Sequence, residues 1–325
     1  MSSMKAKCTL LFSVFALLLL PLPAYVHAQP DNTTLTQTFR TGSSPQLSAA
    51  TSGGNITFET HNRDEVVIHV IARKGRAYLS ADELDSYAEL IFNESDNQIS
   101  VEAQRRNSSG FSFFGRSSSA NVSISYHILA PSASSTNGRT SGGNISLNGF
   151  DGGHQLRTSG GNITLTQTSG TIRAQTSGGN IQITGVSGEL DARTSGGRIT
   201  LNDSNGRLNV RTSGGNINIR DVNGSVEAQT SGGNITASVR EPGEILNLRT
   251  SGGNVSLNLP ATLTAADSPG LELSLRGSSA NLQGNLHSVM QNSNVNRNSV
   301  SGTFGKGATK VELRTSGGRA TLTFE

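Results

Sequence analysis

The heptapeptide RTSGGNI stands at residues 139–145, recurs unchanged at 157–163 and 211–217, and recurs with one change at 193–199 and 249–255. Its core, Thr-Ser-Gly-Gly, starts at Thr51, Thr140, Thr158, Thr176, Thr194, Thr212, Thr230, Thr250 and Thr315. Between Thr140 and Thr230 the interval is 18 residues each time, and the next is 20, where Glu241-Pro242-Gly243 adds length. A constant period near 20 in a chain rich in β-formers is the mark of a solenoid.

Numbering each threonine as position 1, apolar residues recur at positions 6 and 8 (Ile145/Leu147, Ile163/Leu165, Ile181/Ile183, Ile199/Leu201) and again at 15 and 17 (Ile172/Ala174, Leu190/Ala192, Leu208/Val210). Alternation inside each pair means two strands per repeat with one face buried. One repeat is one coil. Coils stack at about 4.8 Å, the spacing of paired strands, so that like residues form columns and neighbouring coils bury a core that none can close alone. The fold class expected is all-β, a single-stranded β-solenoid (β-helix) of about 18 residues per coil. The glycines of Ser-Gly-Gly are expected at corners with positive φ, as is the glycine of position 13. The asparagines of position 5 are expected to stack as hydrogen-bonded amides.

Composition agrees with a thin core: 33% hydrophobic, 5% aromatic, 38 glycines and no tryptophan. Lys5 and Lys7, the apolar run 10–20 and Val26-His27-Ala28 read as a secretory signal peptide over 1–28. Cys8, the single cysteine, leaves with it. No later segment is apolar enough for a transmembrane helix. The expected location is therefore the periplasm, the cell surface or the medium. Without the leader's two lysines, 24 basic residues face 23 acidic ones, and no concentrated basic surface speaks for nucleic acid. Residues 29–135 read as a less regular β segment, with strands over 65–72, 89–93, 98–103 and 121–129. A short helix there has Ser80 as cap and Glu83 completing the capping box. The regular array spans 136–258. An irregular part, 259–325, ends in one more Thr-Ser-Gly-Gly coil.

Three stretches, ATSGGNITFETHNRDEVVIHVIA (50–72), YHILAPSASSTNGRTSGGNISL (126–147) and GTFGKGATKVELRTSGGRATLTF (302–324), resemble the bacterial “putative adhesin” family of β-strand-repeat proteins, a domain of unknown function. The resemblance covers nearly all of the chain after the leader. It implies an exported, right-handed, single-stranded β-helix, and it supplies no catalytic residues.

Candidate chemistry is sparse. Position 18 carries Arg139, Arg157, Gln175, Arg193, Arg211, Gln229 and Arg249, followed by Arg314. Alternation points these outward as one column, in which stacked guanidiniums repel unless paired or screened. Asp191 and Glu227 lie two residues away on the same face. The column is either a solvated, cross-paired face or, through Arg157, Arg193, Arg211 and Arg249, a stripe for anionic glycans or envelope components. Asp203 and Asp221 share position 10 in adjacent coils at glycosidase-like separation. Each also opens Asp-x-Asn-Gly, the composition of a type I turn. His154 occupies an inward position, expected as a polar cap at the mouth of the core. Phe111, Phe113 and Phe114, in GFSFFGR, either tuck over the first coil or form an apolar tip for a partner or membrane. No metal-ligand cluster, cofactor motif, nucleophile elbow or phosphate loop is recognisable. The function expected is a non-catalytic envelope binding or scaffold module, an adhesin by resemblance. The alternative is a polysaccharide-acting β-helix enzyme, either glycosidase or lyase.

Overall fold

The structure is a computed structural model that describes residues 32–106, 122–284, 286 and 289–325. Residues 1–28, the expected leader, and Phe111, Phe113 and Phe114 lie outside the described residues. The chain folds as the expected all-β solenoid. Each coil has two strands, and each strand pairs in parallel with its counterpart 18 residues on. In the first sheet, Ile145–Asn148 pairs with Ile163–Thr166, then Ile181–Thr184 and Ile199–Asn202, with Ile145, Ile163, Ile181 and Ile199 in register. In the second, Asp151–Arg157, Ser169–Gln175, Ser187–Arg193 and Asn205–Arg211 follow the same rule. The 20-residue coil is absorbed by bulges between Ile217–Gln229 and Ile235–Thr250.

The interior holds the residues of positions 6, 8, 15 and 17, nearly all at 0–1% exposure. Position 11 adds a fifth inward column of Phe150, Thr168, Val186, Ser204 and Val222. From Thr140 onward, threonine 1 of each coil is also buried, and its hydroxyl does two jobs. In the coil of Thr194, Oγ1 donates to the carbonyl of Gly179 one coil below (2.8 Å) and accepts from the N–H of Gly197 in its own corner (3.3 Å). The same pair of bonds repeats at Thr140, Thr158, Thr176, Thr212, Thr230, Thr250 and Thr315. The asparagines do not stack amide on amide. Each Oδ1 takes the backbone N–H of position 5 in the next coil, as Asn144 does with Asn162 at 2.8 Å.

The corner glycines differ from expectation. Those of Ser-Gly-Gly do not have positive φ. The second one is required by proximity, because a Cβ on Gly197 would overlap the backbone carbonyl of Gly179. The first has room: a Cβ on Gly196 would meet Ser177 O at 3.8 Å, ordinary contact. Positive φ falls instead at position 13 (Gly170 101°, Gly188 109°, Gly206 118°) and at position 10 (Gly149, Gln167, Gly185, Asp203, Asp221).

Both ends of the stack reverse the chain's order. Gln46–Thr51 lies between Gln98–Arg105 and Ser135–Thr140, and Ile56–His61 lies between Val122–Pro131 and Ile145–Asn148, all parallel. The coil of Thr51 is thus in register with the array, and a later stretch of chain covers it. At the other end the last coil, Thr309–Thr315 and Arg319–Phe324, sits under Leu271–Arg276 and Ser279–Leu282. Antiparallel strands then close the ends. Glu65–Lys74 and Leu35–Arg40 cover one face, Ala88–Ser95 the other, and Ser299–Phe304 with Gln291–Asn296 the far end. The short helix Ala81–Asp85 has the Ser80/Glu83 capping box.

His154 is not at the mouth. Its column runs Ile99, Leu47, Thr136, His154, Ile172, so three layers lie beyond it. The ring is 3% exposed, sits edge-on to Phe150, and shares a 3.0 Å hydrogen bond with Thr136 through Nδ1. Nε2 has no partner. Burial pushes the imidazole down to about 4, outweighing the nearby Ser169 backbone and the charge of Asp151, which favour the cation.

Three measurements test this account. Gly197→Ala should cost roughly 3 kcal/mol, because backbone cannot move aside, whereas Gly196→Ala should change stability by under about 0.5 kcal/mol. Equal melting shifts would show that the corners are not limited by coil spacing.

Ile199, fully buried between Ile181 and Ile217, should cost about 2–4 kcal/mol as alanine. Its outward neighbour Thr200→Ala should cost well under about 1 kcal/mol. Urea midpoints that coincide would overturn the inward and outward assignment.

For His154 the folded value lies below the ordinary 6.5, so the unfolded chain binds the extra proton between pH 6.5 and 4. Stability is fully present above pH 6.5 and should fall by about 3 kcal/mol on acidification to pH 4. His69, also held down by burial and then by the neighbouring His127, adds a loss of the same sign. His154→Leu should flatten most of this limb in melts between pH 4 and 7. An unchanged slope would refute the assignment.

Candidate binding face

The outer face of the second sheet is where this chain departs from uniformity. Positions 14, 16 and 18 point outward in three parallel rows that run along the solenoid axis. Register places Arg139 beside Arg157, then Gln175, Arg193, Arg211, Gln229, Arg249 and Arg314. Arg157, Arg193, Arg211 and Arg249 therefore share one row, and the row continues to Arg276, which pairs in register with Arg314.

The arginines are not equivalent. Arg193 holds Asp191 with two contacts of 2.8 Å, Nε to Oδ1 and a terminal nitrogen to Oδ2. Arg211 lies 3.6 Å from Glu227, and Arg249 lies 2.6 Å from Glu312. Each carboxylate belongs to the adjacent row at position 16, within its own coil for Asp191 and one coil away for Glu227 and Glu312. The Arg193 and Arg211 side chains are about half exposed (50% and 44%), so each of these pairs contributes at most about 1 kcal/mol. They neutralise the middle of the row. Arg139 and Arg157 at one end, and Arg314 and Arg276 at the other, have no ion pair among the described residues.

A trough follows the same face. Its first segment has a volume of about 490 Å³ and crosses from the hairpin Ala88–Ser95 and Gln98–Arg105, over Gln46–Thr51 and Ser135–Thr140, to Arg173. A second segment of about 260 Å³ shares Thr171 and Arg173 with the first and continues past Glu189, Asp191, Arg207, Glu227 and Glu244. The polar side chains of the first are amides and hydroxyls set around Leu47, Ile99 and His154, with Arg173 at its end; those of the second are mainly charges of both signs. No group of three or more metal-ligating side chains occurs among the described residues.

The aspartates of the glycosidase expectation sit elsewhere, at the position 10 corner. Asp203 and Asp221 adopt left-handed backbone (φ 47° and 56°), a conformation short polar side chains tolerate, and the Asn-Gly that follows each belongs to a strand and not to a type I turn. Arg240 lies 3.8 Å from Asp203 and 3.2 Å from Asp221, so one guanidinium bridges both carboxylates.

Arg276 and the trough escaped sequence reading for different reasons. Arg276 follows Leu273-x-Leu275, the apolar alternation that precedes most Thr-Ser-Gly-Gly corners, but Gly277-Ser278 forms a corner two residues shorter. The signal was present. The first segment of the trough draws on six strands taken from residues 46 to 173, and no local motif marks it.

Among solved structures the chain is similar to a “putative adhesin” from Bacteroides fragilis NCTC 9343 (15% identity, 92% of this chain and 100% of that one, TM-score 0.40). It is also similar to a “putative lipid binding protein” from Parabacteroides distasonis ATCC 8503 (11%, 91% and 98%, 0.44) and to a “putative cell adhesion protein” from Clostridium sporogenes ATCC 15579 (10%, 90% and 99%, 0.21). No curated protein matches the chain. The model of the family described as Toastrack DUF4097 matches residues 45–323, from the first strand of the Thr51 coil to the last strand of the stack, and the chain belongs to that family.

Proposed function

We propose that this protein is an exported, non-catalytic binding module of the cell envelope that engages extended anionic polymers along the arginine row. The observation that supports this reading is the register-locked row itself. Its strands are hydrogen-bonded coil to coil, so the guanidiniums recur at a fixed spacing of about 4.8 Å per coil, or multiples of it where glutamine intervenes. A linear polyanion meets such a row without the row having to rearrange. Arginine supplies forked donors suited to sulphate, phosphate and carboxylate. The end arginines, free of carboxylates, carry most of the attraction, and the paired middle limits self-repulsion.

The test compares two variants with the mature protein. Arg139→Gln with Arg157→Gln removes free guanidiniums, while Arg193→Gln with Arg211→Gln removes paired ones. Heparin-like polymer should bind the parent with an affinity that falls with salt, because each contact displaces condensed counterions. The first variant should lose at least tenfold in affinity and show a shallower salt dependence. The second should lose less, with circular dichroism constant in both. A parent that ignores sulphated polymers and anionic vesicles at physiological salt refutes the proposal.

A further inference from the structure

We infer that the first segment of the trough is a binding site for an uncharged polyhydroxyl chain, an oligosaccharide lying along the solenoid axis, separate from any polyanion on the arginine row. The volume of about 490 Å³ is that of a small-ligand site. Its chemistry is unusual for this molecule. On an outer face otherwise dense with Arg, Glu and Asp, the lining contains no carboxylate, and Arg173, at the boundary with the second segment, is its one charged side chain.

The trough exists because of small residues in register. At position 14, Ser135 and Gly153 are adjacent, so the row drops to a floor between Gln46 on one side and Thr171 on the other. The hairpin Ala88–Ser95/Gln98–Arg105 continues the sheet beyond the solenoid and brings Asn93 and Gln98 to the far wall. The amides there are under-used. Gln98 Nε2 reaches Gln46 Oε1 at 3.4 Å, and Asn93 donates to Ser100 Oγ at 3.2 Å, one bond each for groups that can make several. Each amide thus keeps donors or acceptors available, and paired donor and acceptor sites are what sugar hydroxyls require.

The backbone decides between a glycan and a peptide. An extended peptide binds a sheet by adding at an edge, where main-chain groups are free. The floor of this trough lies across strands whose main chains are committed to ladders on both sides, Gln46–Thr51 between two neighbours and Asp151–Arg157 between two more; a free edge occurs only at the far wall, on Ala88–Ser95. Recognition here falls to amide and hydroxyl side chains, which suits a polyol. With no carboxylate in the lining, the segment has no acid of the kind that protonates a glycosidic leaving group, so it binds without cleaving.

The test uses the folded mature protein with cellohexaose, maltohexaose, mannohexaose and chitohexaose, followed by calorimetry and amide NMR. At least one should bind saturably, with shifts confined to the strands of the trough and an affinity unchanged between 0.05 and 0.5 M salt. Gly153 is exposed, and a Cβ there would meet Ser135 Oγ at 3.7 Å, so Gly153→Leu fills the floor without disturbing the coil. It should weaken sugar binding at least tenfold while leaving melting temperature and heparin binding unchanged. Gln46→Leu with Gln98→Leu should weaken it similarly without blocking the space. The inference is overturned if no hexasaccharide binds by 10 mM, if Gly153→Leu binds as the parent does, if binding follows salt or the Arg139/Arg157 variant, or if an extended uncharged peptide occupies the trough instead.

Discussion

Everything in this molecule depends on how closely one corner lies on the next. Strand pairing sets coils about 4.8 Å apart, and at the Thr-Ser-Gly-Gly corner the backbone of one coil lies directly against the carbonyl below. A Cβ at the second glycine has nowhere to go in any coil, from Gly54 on the backbone of Ile124 to Gly318 on Gly253. Threonine follows from the same constraint. The carbonyl that presses on glycine needs a donor, and the hydroxyl of position 1 supplies it while accepting an N–H of its own corner. The motif is therefore a single solution to a steric and a hydrogen-bonding demand, repeated wherever coils stack. Thr51 shows the logic at the boundary: no glycine lies beneath it, and its hydroxyl donates to the carbonyl of Ile124 instead (2.8 Å).

A solenoid built this way has two weaknesses, open strand edges and free chain ends. Topology answers the second. The first and last Thr-Ser-Gly-Gly coils are each clamped between the array and a coil of distant sequence, so fraying from a terminus requires breaking parallel ladders on two sides. Antiparallel strands answer the first in part. They leave Leu35–Arg40, Ala88–Ser95 and Gln291–Asn296 as edges, the last wholly exposed and rich in asparagine, whose polar side chains discourage further pairing.

The array was legible because a fixed period converts sequence separation into spatial adjacency: knowing that Ile163 sits on Ile145 needs only the number 18. The same arithmetic placed Arg193 and Arg211 side by side. It failed where adjacency and sequence part company. The order of the coils at both ends could not be read, because residues 98–105 and 271–276 lie outside coils that precede or follow them in the chain. It failed again where one residue type answers two demands. Glycine means left-handed backbone at Gly170 and close approach at Gly197, and the letter does not distinguish them. His154 was misplaced for the first reason, since the layers that bury it come from residues 47 and 99.

With its interior fixed by packing and its corners by spacing, the chain is free to vary only where side chains point out. That freedom is spent unevenly. Position 16 reads Ser48, Asn137, Gln155, Arg173, Asp191, Asn209, Glu227 along the axis, neutral first and charged later. Row 18 does the reverse at the same end, placing Arg139 and Arg157 unpaired beside the neutral stretch. A carboxylate at Asn137 or Gln155 would pair with those arginines as Asp191 does with Arg193, and would quench them. The neutrality of one row is thus what leaves the neighbouring row charged, and the face presents a neutral stretch and a cationic one side by side.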